Sequence, residues 1–356
     1  MKALITAGGR GTRLRPITHT RNKHLIPIAN KLMLQYALDY VSAAGIREVG
    51  IIVNADNHEV QQTFGDGAKQ GLHIVYIPQE APLGLAHCVK ISEKFLGHEP
   101  FVYYLGDNMV VGGIKKYVEE FQRNKSNCHL TLSRVKDPQR FGVPEIRGNR
   151  IVAVAEKPEK PKSEYAVTGI YFYDETIFEA VNSIKPSKRG ELEISDAHQY
   201  LLDHGKKVTF TELTGWWKDT GLPSDLLEAN RLVLDHIEQT DNAGAEINGG
   251  SNLAGRVLLG KDTRIINSNI RGPVIIGENS AIENSYIGPY TSIHNGCAIR
   301  NSEVEYSIVL ERCNILDVGI RIESSLLGCD TAIHRAADKP RTHRFVLGDQ
   351  SMVEVG

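Results

Sequence analysis

Apolar positions along the 356-residue chain follow two different periods, and the change falls near residue 236. Before it, short apolar runs alternate with amphipathic stretches. Lys2–Thr6 reads as a buried strand that ends in glycines. Leu32, Leu34, Ala37, Leu38, Val41 and Ala44 recur at helical spacing and stop at Gly45. The same reasoning predicts strands over 49–53, 73–77, 101–105 and 130–135, and helices over 58–64, 85–96 and 114–125. Alternation of this kind implies an α/β domain whose parallel sheet is covered on both faces. Further strands over 151–155, 167–173 and 207–211 are spaced less regularly and extend the sheet as a mixed one.

Residues 235–248 are polar. Beyond them Leu259, Ile265, Ile270, Ile276, Ile282, Ile287, Ile293, Ile299, Val304 and Val309 recur at steps of five or six, with Gly, Asn or Ser often between. No helix has that period, whereas a short strand plus a turn, coiled into a solenoid, does. The expected organisation is an α/β domain at 1–236, a linker at 237–249 and a solenoid at 250–356 that ends in an irregular tail from His334.

Composition narrows the function. The formal net charge is -2, so no global basic field marks a nucleic-acid partner. No apolar run reaches the length of a membrane span. The N-terminus meets glycines before a signal-peptide core can form, so a cytoplasmic location is expected. Five cysteines without a CxxC pair read as free thiols rather than a zinc site.

Candidate chemistry begins at Gly8-Gly9-Arg10-Gly11-Thr12-Arg13-Leu14-Arg15-Pro16, directly after the first strand. Glycines let backbone N–H groups approach an anion, and arginines add charge. A loop at the carboxyl end of a parallel strand is where α/β proteins hold nucleotides. The segment is neither a Walker loop nor a dinucleotide fingerprint, and the near-match at Gly255 to Lys261 lacks the Ser/Thr. Lys23 follows in Asn22-Lys23-His24-Leu25-Ile26-Pro27. Asp107 in Leu105-Gly106-Asp107-Asn108 follows another strand, and Asp219 lies in Trp216-Trp217-Lys218-Asp219-Thr220-Gly221. Two such carboxylates suit Mg²⁺, which takes one or two of them plus phosphate oxygens and water. Glu156-Lys157-Pro158 ends a further strand. Gln79 precedes Gly84 in a loop, and its amide could pair with a base edge. No HxH, HExxH, GxSxG or Cys/His arrangement is present.

Together these motifs, in order across roughly the first 235 residues, resemble the sugar-nucleotidyltransferase family. The QEAPLGLAH segment favours its thymidylyltransferase branch, whose long form carries a left-handed parallel β-helix after a Rossmann-like mixed-sheet domain. The resemblance implies transfer of a nucleotidyl group from dTTP to glucose 1-phosphate, with Mg²⁺ as cofactor and pyrophosphate as the second product. A UTP-dependent uridylyl transfer is the alternative within the family. It further implies a nucleotide site at Ala7, Gly8, Gly9, Gly11, Thr12, Arg13, Gln79 and Gly84. A sugar-phosphate site follows at Asn108, Gly142, Glu156, Lys157, Val167 and Glu193. Asp107 and Asp219 would hold the metal, and Arg13, Lys23 and Lys157 would be catalytic. The sequence departs from the pattern at His24, where the branch usually has Gln, at Leu32 in place of proline, and at Pro144.

A phosphate monoester is anionic at pH 7, so the expected reaction needs no general base. Positioning and charge neutralisation would carry it. A solenoid of this class also serves acyltransferases, for which His294, the one His in the regular coils, would be the base. Flat solenoid faces pack against copies of themselves, so a homo-oligomer is expected.

Overall fold

The computed structural model describes residues 1–238, 240–242, 244–336 and 343–355. Its chain divides into two compact units, each discontinuous in sequence. The first comprises Met1–Arg10, Asn22–Leu25 and Met33–Asp219; the second comprises Gly11–Arg21, Ile26–Leu32 and Thr220–Gly356.

In the first unit, strand β1 (Lys2–Thr6) buries Ala3, Leu4 and Ile5 completely. A strand with neighbours on both edges and helices on both faces has no polar side, which is why its run is continuously apolar. Helix α1 (Met33–Ala43) follows, then β2 (Glu48–Asn54), the short helix α2 (Glu59–Phe64), β3 (His73–Gln79), α3 (Leu85–Ile91) and β4 (Phe101–Leu105). After them come β5 (Asn108–Val110), α4 (Lys115–Asn124), β6 (Cys128–Arg134), β7 (Gly142–Arg147), β8 (Arg150–Glu156) and β9 (Tyr165–Tyr173). Helices α5 (Ile177–Ser183) and α6 (Ile194–Asp203) and strands β10 (Val208–Glu212) and β11 (Trp217–Asp219) complete the unit.

The sheet runs β8-β7-β9-β4-β1-β2-β3, with β6 beside β9 and β10 beside β6. Strands β4, β1, β2 and β3 are mutually parallel, and β9 enters antiparallel to β4. The expected mixed extension is therefore present. Strand β11 pairs antiparallel with β5, which sets Asp219 opposite Asn108. The helix expected over 85–96 is two pieces, because Ser92 bonds its hydroxyl back to the Cys88 carbonyl at 2.7 Å and a second short helix starts at Glu93.

In the second unit, strands form a three-sided parallel β-helix with sheets of six, five and five strands. Each coil takes 17 residues through Arg264, Ala281 and Ala298. Ile265, Ile282, Ile299 and Ile315 stack in one column, and Ile270, Ile287 and Val304 in the next, all of them fully buried. Polar corners are satisfied from coil to coil. Ser251, Ser268, Ser285 and Ser302 each accept the N–H of the residue one coil on, through bonds of 3.1 to 3.2 Å. The first coil strand is Glu246–Asn248, inside the stretch expected to be a linker.

The same unit contains helix α7 (Pro223–Leu234) and the two N-terminal segments. Asn230 of α7 accepts the Ala29 N–H at 2.8 Å and donates to the Tyr290 carbonyl at 3.1 Å. Asn30 donates to the Ile293 carbonyl at 2.7 Å. Arg21 reaches Glu311 at 3.2 Å and the Cys329 sulfur at 3.1 Å. The tail expected to be irregular falls partly outside the described residues; residues 343–355 form no regular element.

Candidate functional site

The glycines after β1 lie close against neighbouring backbone. A Cβ on Gly8 would stand 3.3 Å from the Asn54 nitrogen at the end of β2. One on Gly9 would stand 3.5 Å from the His24 ring and 3.7 Å from the Lys23 stem. Ala7 donates to the Ile52 carbonyl at 2.7 Å, and its own carbonyl accepts from the Asn22 side chain at 3.1 Å. Among the described residues, the N–H groups of Gly8 and Gly9 donate to no carbonyl. That leaves both amides for an outside acceptor.

Lys23 and Asp107 form an ion pair. The Lys23 residue is 7% exposed, an unusual burial for a lysine and one that its partner explains. Burial by itself would raise the Asp107 carboxyl. The Lys23 ammonium and the Asn108 amide, at 3.0 Å, outweigh it and hold Asp107 well below the ordinary carboxylate range. His24 is buried beneath Gly9 and Gly106, with its Nδ1 2.9 Å from the Asn22 side-chain oxygen. Burial, helped by Lys23, pushes its pKa down to about 3, so the ring is neutral and adds no charge to the site. The departure at His24 is thus a packing feature beneath the glycine loop.

Asn108 is 4% exposed and acts as a strut. Its Oδ1 accepts from the Trp217 indole at 2.6 Å and from the Gly169 N–H at 3.3 Å. Burial first, then the charges of Glu156, Asp107 and Asp219, push the Tyr171 hydroxyl far above its ordinary range. These three carboxylates therefore share one neighbourhood near the carboxyl ends of β4, β8 and β11.

The expected sugar-side residues also converge. Gly142 is in register with both Glu156 and Val167. A Cβ there would lie 2.7 Å from the Ser195 hydroxyl and 3.5 Å from Glu156. Ser195 donates to Glu156 at 2.7 Å. Lys157 takes a left-handed φ of 41°, a costly state for a lysine, and is held there as its N–H donates to the Phe141 carbonyl at 2.9 Å. Its ammonium lies 3.5 Å from Glu156, and its side chain is about half exposed. Glu193 is buried and accepts from Ser187 at 2.7 Å and from Arg189, which also reaches Glu156 at 3.5 Å. Gln79, expected on the base side, donates to the Gly84 carbonyl at 3.4 Å.

Gly11, Thr12 and Arg13 belong to the second unit. There Gly11 is left-handed at φ 60°, and its carbonyl accepts from Thr18 at 2.7 Å. The Arg13 guanidinium abuts Gly221, where an added Cβ would fall 2.8 Å from its Nη2. In that unit His294 Nδ1 accepts the Asn295 N–H at 2.9 Å.

Four supporting residues were not assigned from sequence: Asn22, His87, Arg189 and Ser195. Each acts on another side chain. Asn22, inside the lysine motif, and His87, at the end of the QEAPLGLAH segment, had a local signal; Arg189 and Ser195 had none.

The nucleotidyl transferase family model matches residues 2–236. The chain belongs to the nucleotidyl transferase family. A glucose-1-phosphate thymidylyltransferase of Streptomyces griseus is 47% identical across 100% of this chain and 99% of its own length. Among solved structures, a Bacillus anthracis protein described as a glucose-1-phosphate thymidylyltransferase, in complex with sucrose, superposes with a TM-score of 0.62 at 40% identity. It covers 65% of this chain and 94% of that one. A UDP-glucose pyrophosphorylase complexed with UDP-glucose gives a TM-score of 0.60 at 25% identity, over 66% of this chain and 98% of that one. The first unit gathers Lys23, Lys157, Asp107, Glu156 and Asp219 near the carboxyl ends of its strands.

Proposed function

We propose that this nucleotidyl transferase moves a thymidylyl group from dTTP to glucose 1-phosphate and releases pyrophosphate. The observation that carries the reading is the buried Lys23–Asp107 pair beside two glycine amides with no internal acceptor. A paired lysine, two open N–H groups and a carboxylate at a strand's carboxyl end suit a triphosphate. The full-length likeness to the Streptomyces griseus enzyme supports the choice of substrates.

A phosphate oxygen of the sugar attacks the α-phosphorus in line. The bond from that phosphorus to the bridging oxygen breaks, and the electron pair leaves with pyrophosphate. Glu156 and Gly142 would hold the sugar, with Val167 against its ring. Lys157, whose backbone is locked by Phe141, would neutralise the attacking phosphate. Lys23 and Arg13 would neutralise the triphosphate, while the Gly8 and Gly9 amides would bind its oxygens. Glu193 would act through Arg189, which ties it to Glu156.

Among the described residues no cluster of three metal-ligating side chains occurs. A pair of carboxylates nevertheless fits Mg²⁺, a hard cation that keeps waters and takes phosphate oxygens. Asp107 and Asp219 are the residues that would hold it; bound there, it would neutralise charge on the α-phosphate. We also propose a cytoplasmic enzyme that self-associates; no helix among the described residues is long and apolar enough to cross a membrane.

The test is pyrophosphate release from dTTP, UTP, dCTP, ATP and GTP with glucose 1-phosphate and Mg²⁺. The reading requires dTTP to be among the preferred donors. Exclusive use of a purine nucleotide would overturn it.

A further inference from the structure

We infer that His87 is a positioning residue that fixes which edge of the Gln79 amide faces the nucleotide base. The inference rests on the proposed reading of Gln79 as a base-facing residue. Gln79 ends β3 and His87 lies in the first turn of α3, eight residues on. The Gln79 Nε2 stands 3.4 Å from the Gly84 carbonyl, which can only accept, so the nitrogen rather than the oxygen faces that side, through a contact too long to hold the amide alone. The same nitrogen stands 3.0 Å from His87 Nδ1.

An amide NH₂ has two protons. Gly84 takes one and His87 the other, so the nitrogen has no donor left for a ligand. Only Oε1, an acceptor, remains to meet a base. The hydrogen-bond roles then decide which bases fit. Thymine and uracil carry an N–H at ring position 3 and donate to such an oxygen. Cytosine has a lone pair there, which would face the Oε1 lone pairs, and its amino group lies one ring position away. The arrangement accepts the imino pyrimidines and rejects cytosine, and it does not separate thymine from uracil.

Gly84 serves this arrangement twice. At φ 101° it occupies a backbone state that side chains avoid, and a Cβ would strike the Leu192 carbonyl at 2.4 Å. That clamp fixes the carbonyl that takes one Gln79 proton. The lowered basicity of His87, caused by burial and then by Lys90, keeps its Nδ1 an acceptor at neutral pH. Lys90, on the same helix, adds to that lowering.

The experiment measures kcat and KM for dTTP, UTP and dCTP with glucose 1-phosphate and Mg²⁺, on the full chain and two variants. The unaltered protein should use dTTP and UTP in preference to dCTP. His87→Leu removes the acceptor and frees the amide to turn. It should cut the dTTP-over-dCTP ratio of kcat/KM by about tenfold, through the nucleotide KM, with kcat little changed. His87→Gln, whose carbonyl can accept from Gln79, should keep the ratio. Should His87→Leu fail to fold, His87→Phe fills the ring volume without an acceptor and serves the same comparison. An unchanged ratio in the acceptor-free variant, or a loss equal for all three nucleotides, overturns the role of His87 while leaving the thymidylyl reading intact. Failure of the unaltered protein to use dTTP at all overturns both.

Discussion

Lys157 has no glycine's freedom, yet it sits at φ 41° with its N–H fixed to the Phe141 carbonyl. Strain of this kind persists where the surroundings over-determine it, commonly at ligand sites. Its side chain makes no buried contact that folding needs, so Lys157→Ala should leave the thermal midpoint almost unchanged. Turnover should fall by on the order of 10²–10³ in kcat/KM, the usual loss for one preorganised charge contact. Steady-state pyrophosphate release beside a thermal melt checks both halves. Gly84 is the opposite case. Gly84→Ala meets the Leu192 carbonyl and should destabilise the fold by about 2–4 kcal/mol, read from urea unfolding. Asp107 and Glu156 were legible in the sequence because each stands at the end of an expected strand, where an α/β sheet presents its chemistry, while Lys23, in a 3-10 turn, and Asp219 were read from their motifs. Arg189 and Ser195 were not. Arg189 meets Glu156 across 33 residues of chain, and nothing in the segment containing it announces that partner.

The strands and helices expected in the first unit lie within two residues of those found, while β5, β7, β11, α5 and α6 were not expected at all. One expected helix breaks at Ser92, where a hydroxyl bonded to a carbonyl one turn back competes with the helix in a way no periodicity reveals. The step of five or six is legible for the opposite reason: each isoleucine must lie on the axis of a coil, so spacing and structure are one fact. Ile282 is flanked in its column by Ile265 and Ile299 and is fully buried. Ile282→Ala should therefore cost about 2–5 kcal/mol, since neighbouring coils cannot collapse into the gap. The corner serines were read as turn residues only. Their role in joining coils depends on a partner 17 positions away.

For the whole molecule, the informative feature is that the second unit borrows from both ends of the chain. Its contacts at Ala29, Asn30 and Arg21 tie it to Asn230, Ile293 and Glu311. A boundary near 236 was the natural reading, since apolar periods say nothing of which coil meets an N-terminal segment. A chain ended at residue 236 should therefore leave Arg21 without Glu311 and Asn30 without the Ile293 carbonyl, although Ala29 keeps Asn230. We expect it to aggregate or to melt at least several degrees below the full chain, as light scattering and calorimetry would show. Glu311 adds an acid-dependent part. Burial opposes its ionisation, but the Cys329 thiol, its own backbone, His294 and Arg21 push it down to about 2 from the ordinary 4.5. A carboxylate with a depressed folded pKa stabilises fully above its unfolded value and loses that contribution as pH falls through the folded one. Glu311→Gln should accordingly flatten the fall in stability between pH 4.5 and about 2.

The Arg21–Glu311 contact spans 290 residues of chain. On the ribosome Arg21 emerges 290 residues before its partner. At roughly 5–20 residues per second, tens of seconds separate the two. Throughout that interval the segment following the first glycines has nothing to close against. The nascent chain can build its sheet before its second unit, so the Arg21–Glu311 contact should form only after residue 311 has been made.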